Sequence, residues 1–235
     1  MKYLDYAIAS VIYHDGDAHL NMALKTWQSM PKGVPSYAVV NRWHTNKKEY
    51  PNNIKYIEND KNILARAWNI GLKEIFTKYD FAVVTNLDLE APEEWEIEMM
   101  VKALKDNPGY GIVSATPMGM ETFNTADGLA DIKHGDGSFS LYIISKDAFN
   151  KVGDFDEGFV PAYFEDNDYL ERMWQAGYKP QRFDGIVYYH ITQGSMKHST
   201  EVRKNYPVFM QKNLEYFKSK WGFVPPHLPA DIKFN

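Results

Sequence analysis

Hydrophobic positions along the chain follow two patterns, and their order predicts a layered α/β protein. Short apolar runs rich in β-branched and aromatic residues indicate strands, whereas apolar positions three and four residues apart indicate helices. The predicted strands cover residues 6–13, 37–40, 54–57, 81–84, 111–115, 138–145 and 186–189. The predicted helices begin near Asp17, Asn62, Glu93, Lys146 and Glu165. Strands that alternate with helices in the first half predict a mostly parallel sheet.

One predicted strand, residues 81–84, runs directly into polar side chains. Asn86 and Asp88 follow it, and alternate residues of an extended segment point to the same side. Ligands of open α/β sheets bind beyond the carboxyl ends of the strands, and carboxylate and amide oxygens suit Mg²⁺ or Mn²⁺. Alternatively, the acids here only introduce the helix that begins near Glu93. That alternative explains Glu93 better than it explains Asp88.

Two further groups of polar residues stand at the ends of predicted elements. Glu165, Asp166 and Asp168 open a predicted helix, and His190 closes the last predicted strand. Carboxylates and imidazoles at such positions are candidates for proton transfer and metal binding. Acids are also favoured at helix N-termini by the helix dipole, and a single histidine is often structural. From these residues alone, both interpretations stay open.

Composition narrows the function classes. The chain has 235 residues, of which 44% are hydrophobic, and this suits one large α/β domain. It contains no cysteine, which excludes disulfides and thiolate metal sites. No apolar run approaches the ~20 residues of a membrane span, and the start of the chain is unlike a signal peptide, so we expect a cytoplasmic protein. The net charge of −5 excludes a surface that is basic throughout.

Five short motifs occur in one order between residues 6 and 200. They are N-x-x-A-R-A-x-N-x-G at 62–71, F-A-V-V-T-N-L-D at 81–88, V-G-D-F-D-E at 152–157, E-D-N-D-Y-L-x-R at 165–172, and V-Y-Y-H at 187–190 with Gly-Ser at 194–195. In order and spacing, the set resembles family-two glycosyltransferases of the GT-A fold, with an N-x-D metal motif like that of the rhamnosyltransferase-like subgroup.

The resemblance implies a role for each matching residue. Asp88 and His190 would bind a divalent metal, Mn²⁺ or Mg²⁺. Asp166 would be the general base, and Glu165 is the alternative for that role. The implied donor-binding residues are Asn41, Arg66, Asn69, Asn86 and Asp88. The implied acceptor-side residues are Asp156, Glu157 and Asp168.

The resemblance also implies a fold and a reaction. The expected fold is a single GT-A domain, a three-layer α/β/α sandwich with a mixed, mostly parallel sheet and a Rossmann-like nucleotide-binding half. Residues 1–115 would bind the nucleotide sugar, 116–200 would form the acceptor and catalytic half, and 200–235 would be a C-terminal helix and tail. The expected reaction is metal-dependent, inverting transfer of a hexosyl or pentosyl unit from a UDP-, GDP- or dTDP-sugar to an acceptor hydroxyl.

Two features leave the substrates open. Asn41 ends the second strand where the family usually has an aspartate, and Asn86 replaces the first aspartate of the metal motif, so the nucleotide is not identified. For the acceptor, a glycan is favoured, whereas the locally basic region 195–223 keeps a nucleic acid open. Residues 116–136 lack periodicity and predict a long surface loop on the acceptor side. A catalytically inactive nucleotide- or glycan-binding module is the alternative function.

Overall fold

The computed structural model describes residues 5–13, 17–42, 50–118, 128–132, 139–190 and 199–225. The strands in these ranges are β1 (Tyr6–Tyr13), β2 (Ser36–Arg42), β3 (Ile54–Glu58), β4 (Phe81–Thr85), β5 (Leu89–Glu90), β6 (Ile112–Pro117), β7 (Leu129–Asp131), β8 (Leu141–Ser145) and β9 (Gln181–His190). The α-helices are α1 (Asp17–Ser29), α2 (Leu64–Ile75), α3 (Glu94–Asp106), α4 (Lys146–Val152), α5 (Glu165–Gln175) and α6 (Thr200–Trp221). A short 3₁₀ helix covers Pro108–Tyr110.

All described strands belong to one sheet, in the order β3-β2-β1-β4-β8-β6-β9-β5, with β7 also paired to β9. Strands β1 to β4, β6 and β9 run in one direction, and β5, β7 and β8 run against them. The expected mixed, mostly parallel sheet is therefore confirmed. Because the parallel strands share a direction, their carboxyl ends meet at one edge of the sheet.

Helices cover both faces of the sheet, because successive side chains of β4 point to opposite faces and pack against different helices. Ala82 and Val84 of β4 pack with α2, α4 and α5, and Val83 packs on the opposite face with α3. Helix α1 packs over β2 on the α3 side. Leu72 of α2 is fully buried, and burial of a leucine contributes about 1.5–3 kcal/mol. The predicted three-layer arrangement is confirmed.

The structure differs from the predicted elements on the acceptor side. Thr116 and Pro117 extend β6, and Leu129–Asp131 form β7, so the prediction of one loop over 116–136 was wrong. Strand β7 has three residues and is held by antiparallel pairing with β9, a partner that its own sequence cannot reveal. The remainder of that predicted loop, apart from Met118, Gly128 and Ile132, lies outside the described residues.

Helix α2 is tied to the rest of the domain through Asn69 and Gly71. The Asn69 Oδ1 atom accepts a hydrogen bond of 2.7 Å from the Phe155 N–H, and its Nδ2 donates to the Phe155 carbonyl at 2.9 Å. Gly71 lies so close to β2 that an added Cβ would stand 3.3 Å from Val39 Cγ2. This part of the N-x-x-A-R-A-x-N-x-G motif therefore serves packing between the helix, the sheet and the segment around Phe155.

None of the described helices is both long enough and apolar enough to cross a membrane.

We predict that Asn69→Ala lowers the free energy of unfolding by about 1–3 kcal/mol, because the buried Phe155 N–H loses its acceptor. Urea unfolding measures this change. Asn107→Ala is the control, since Asn107 makes an exposed side-chain hydrogen bond to Ala103 and its loss should cost about 0.5 kcal/mol or less. Equal costs for the two variants would contradict the structural role of Asn69.

Candidate functional site

A cavity of about 600 Å³ opens at the edge where the parallel strands end. The sheet contributes Tyr13 of β1, Asn41 of β2, the residues that follow β4, and His190 of β9. Its opposite wall comes from residues 160–164, the first residues of α5, and one face of α6. The cavity therefore lies where open α/β sheets place their ligands.

Asp88 and His190 meet in this cavity, with Asp88 Oδ1 3.2 Å from His190 Nε2. Their side chains are 15% and 16% exposed, so both can reach a ligand. The contact follows from strand pairing, because Leu89 of β5 is in register with His190 of β9. Helix α1 supports β5 as well, since the buried Thr26 hydroxyl donates to the Leu89 carbonyl at 2.7 Å.

The donor atoms of this pair are compatible with a divalent metal that receives its other ligands from a substrate. A carboxylate oxygen suits Mg²⁺ or Mn²⁺, and imidazole nitrogen is a common ligand of transition metals. Within the described ranges, no group of three or more histidine, cysteine, aspartate or glutamate side chains is arranged to hold a metal. If a metal binds here, the described protein groups would supply two ligands, and oxygen atoms of a bound molecule would have to complete the coordination.

Glu165 and Asp166 stand side by side at the start of α5 and line the same cavity. Glu165 is 6% exposed, and its Oε2 atom has no hydrogen-bond partner among the described residues. Asp166 is half-buried, and its Oδ1 accepts a hydrogen bond of 2.8 Å from the Asn167 N–H. The two carboxyl groups thus differ in their access to a ligand.

Burial changes the acidity of both carboxyl groups. Burial, and next the neighbouring Asp166 carboxylate, raise the pKa of Glu165 to about 8. Burial also raises the pKa of Asp166 to about 6, against the opposing effect of the Asn167 backbone N–H. Both carboxyl groups therefore bind a proton more readily than an exposed carboxylate does, and burial acts more strongly on Glu165. A carboxylate with a raised pKa in a cavity is suited to accept a proton near neutral pH.

The structure places some of the predicted donor-binding residues at the cavity and others outside it. Asn41 and Asn86 line the cavity, together with Asp88. Asn41 Oδ1 accepts a hydrogen bond of 2.7 Å from Asn59. Arg66 lies outside the cavity wall, where it pairs with Asp60 at 3.1 Å and with Glu157 at 3.5 Å. Asn69 also lies outside the cavity wall, where its side chain is hydrogen-bonded to the backbone of Phe155.

The three predicted acceptor-side acids make structural contacts instead of facing the cavity. Asp168 is fully buried, and its carboxylate contacts Arg172 Nε at 2.9 Å and Lys220 Nζ at 2.6 Å. Asp156 pairs with Lys220 at 2.7 Å. Glu157 accepts from Asn69 at 3.2 Å and lies near Arg66. The acids at 156 and 168 thus join α5 and its preceding segment to α6, and their acceptor-side role stays a prediction.

Sequence reasoning missed the contribution of α6 to the cavity. Val202, Phe209 and Met210 of this helix line the wall opposite the sheet. Tyr163 also lines it, with its ring 5.3 Å from that of Tyr206. The apolar spacing within α6 predicts a helix face that packs, but it carries no signal for what the face packs against.

Comparison with solved structures confirms the expected GT-A fold. A structure of GalNAc-T7 with UDP, GalNAc and Mn²⁺ has a TM-score of 0.63 and 12% sequence identity, and the match covers 95% of this chain and 51% of that one. A structure of S. aureus TarS 1–349 has a TM-score of 0.58 and 12% identity, and covers 94% of this chain and 72% of that one. Both are GT-A glycosyltransferases.

A sequence comparison finds a match to part of the chain. A galactofuranosyl glycosyltransferase from Leishmania donovani is 30% identical over 98 residues, which cover 35% of this chain and 23% of that protein. The match thus spans less than a quarter of the length of this curated relative. No protein-family profile matches the chain. The narrower likeness to a rhamnosyltransferase-like subgroup stays a prediction.

We predict that Glu165→Gln stabilises the protein more at pH 9 than at pH 6. Because folding raises the pKa of Glu165, its stabilising contribution is present at low pH and is lost as the pH rises through about 8. Glutamine does not ionise and avoids this loss, which amounts to about 1.4 kcal/mol for each unit of pKa change. Urea unfolding at both pH values measures the difference between variant and wild type.

The control for this experiment is Glu94→Gln, which changes an exposed glutamate in the first turn of α3. Its effect should be the same at both pH values. A Glu165→Gln effect that is equally independent of pH would show that folding does not raise the pKa of Glu165.

Proposed function

We propose that the chain is a metal-dependent, inverting glycosyltransferase that moves a hexosyl or pentosyl unit from a nucleoside diphosphate sugar to an acceptor hydroxyl. The observation that carries this proposal is the convergence of two pairs on one cavity, Asp88 with His190 and Glu165 with Asp166. The first pair is suited to hold a metal and the second to accept a proton. The GT-A fold and the short match to a galactofuranosyl glycosyltransferase support the same reaction class.

The donor would bind at the sheet side of the cavity. Asp88 and His190 would hold Mn²⁺ or Mg²⁺, and Asn41 and Asn86 stand on the same side to contact the nucleotide. When bound, such a metal neutralises negative charge that develops on the departing nucleoside diphosphate. The GalNAc-T7 structure, which contains UDP and Mn²⁺, supports a nucleotide sugar as donor and a divalent metal as cofactor. UDP, GDP and dTDP sugars are the candidates.

Asp166 is the proposed general base. Its ionised carboxylate would take the proton of the acceptor hydroxyl while that oxygen attacks the anomeric carbon and the bond from this carbon to the diphosphate oxygen breaks. Attack on the face opposite the leaving group inverts the configuration. Glu165 is less suited to this step, since it is more deeply buried and burial raises its pKa further. A hydroxyl of a glycan is the proposed acceptor.

We predict that nucleoside diphosphates raise the melting temperature only when Mn²⁺ or Mg²⁺ is present, because Asp88 and His190 would hold the metal and its charge would favour binding of the diphosphate. A thermal-shift series with UDP, GDP and dTDP, each with Mn²⁺ or with EDTA, measures this effect and identifies the nucleotide. Asp88→Ala should abolish the metal-dependent shift. Asp106→Ala, an exposed change on α3, should preserve it. Shifts of equal size in EDTA would reject the metal assignment.

We predict that Asp166→Asn lowers turnover by about 10²- to 10⁴-fold, because asparagine keeps the shape of the side chain but accepts no proton. Glu165→Gln should lower turnover far less. The assay measures transfer from a sugar derivative of the nucleotide that thermal shift identifies. The affinity for this donor should be similar in both variants. The opposite ranking would exchange the roles of the two acids. Nucleotide binding by the wild type without transfer or donor hydrolysis would favour the inactive binding module.

A further inference from the structure

The segment that leads into Glu165 and Asp166 has an unusual backbone. Tyr163 has a φ angle of 83° and Phe164 one of 73°, both in the left-handed region. Non-glycine residues are strained in this region and persist there only where the surrounding structure enforces the conformation. Phe164 is also the N-cap of α5, and no side chain caps the helix there. The direction of the first turn of α5, and with it the place of both acids, therefore depends on what holds residues 160–164.

Two neighbouring helices hold this segment. On one side, the Leu64 N–H at the start of α2 donates to the Pro161 carbonyl at 2.8 Å. On the other side, the segment meets Asn213 of α6, a polar side chain that is fully buried. Asn213 Oδ1 accepts from the Val160 N–H at 3.3 Å, and Nδ2 donates to the carbonyls of Ala162 at 2.7 Å and Tyr163 at 3.3 Å.

These hydrogen bonds connect Asn213 to the backbone immediately before the acids. They use both the oxygen and the nitrogen of the amide, and every partner lies between residues 160 and 163. Around them, an apolar cluster joins Phe159 and Phe164 to the faces of α6 that carry Met210, Leu214 and Phe217. Apolar packing stabilises the contact between the segment and α6 but is not directional. Hydrogen bonds have a preferred geometry and therefore restrict the orientation of the backbone.

We propose that Asn213 is a positioning residue for sugar transfer: from the C-terminal helix, it holds the strained segment 160–164 so that Asp166 faces the acceptor. This inference rests on the proposed function. A small misplacement of a reacting group lowers the rate of the chemical step strongly, even where the changed residue lies outside the site. Among the described residues, Asp88 and His190 share no hydrogen bond with Asn213, so loss of Asn213 should leave donor binding intact.

The test compares Asn213→Ala with Leu214→Ala, a change of the adjacent residue that removes packing from the same cluster but no hydrogen bond to the segment. We expect kcat to fall about tenfold or more in Asn213→Ala, with the KM for the donor and the Mn²⁺-dependent affinity for the nucleoside diphosphate within about twofold of wild type. Leu214→Ala should keep kcat within about twofold, although the cavity that it leaves in the apolar cluster should lower the melting temperature.

A normal kcat in Asn213→Ala, or an equal fall in both variants, would overturn the inference. Asn213→Ser, which keeps a shorter polar side chain, is the second variant if the alanine variant does not fold. Hydrogen exchange of the wild type gives a further check that needs no variant and no activity. The Val160 amide, whose hydrogen bond goes to Asn213, should be protected, and rapid exchange there would also contradict the inference. A wild type that protects this amide but transfers no sugar would instead reject the proposed function.

Discussion

The candidate site depends on one very short strand pairing. Strand β5 has two residues, and it aligns Leu89 with His190 at the end of β9, more than a hundred residues later in the chain. A strand of this length has little stability of its own, so it needs support from both sides. On one side, β5 pairs with β9. On the other side, the buried hydroxyl of Thr26 in α1 forms hydrogen bonds with the backbone of Leu89. Asp88 is held beside His190 because this pairing forms.

The cavity combines acids with an apolar wall, and this combination determines its electrostatics. Asp88, Glu165 and Asp166 all line it, while α6 and residues 160–164 contribute mainly apolar surface. Low polarity disfavours ionised carboxylates, and burial therefore raises the pKa of both Glu165 and Asp166. A proton held by either of these two carboxyl groups reduces the negative charge that the site presents. A doubly charged cation beside Asp88 would reduce it further and would favour a diphosphate at the same place.

Several residues that carry the family resemblance stabilise the fold instead of contacting the cavity. Asn69 binds the backbone of Phe155, and Asp168 binds Arg172, Lys220 and Trp221. Asp156 binds Lys220 and Tyr216. These contacts join α2, α5 and α6 around the segment that precedes the acids. Motifs of this kind contain residues that line the cavity as well as residues that stabilise the surrounding structure. A matched motif is therefore better evidence for the fold than for the role of each residue in it.

The sequence alone determined the elements with a strong local period, such as β1, β4 and α4, and the run of β4 into Asn86 and Asp88. Period and apolar spacing are properties of a few adjacent residues, so they can be read without a partner. Only the tertiary structure decided that β5 and β7 are strands and that α6 lines the cavity. It also decided that Arg66 pairs with Asp60 and Glu157. In each of these cases the deciding atoms belong to residues distant in sequence. Asn213 illustrates this limit. The spacing of Met210 and Phe217 places it on the apolar face of α6, but its hydrogen-bond partners exist only because α6 packs against residues 160–164.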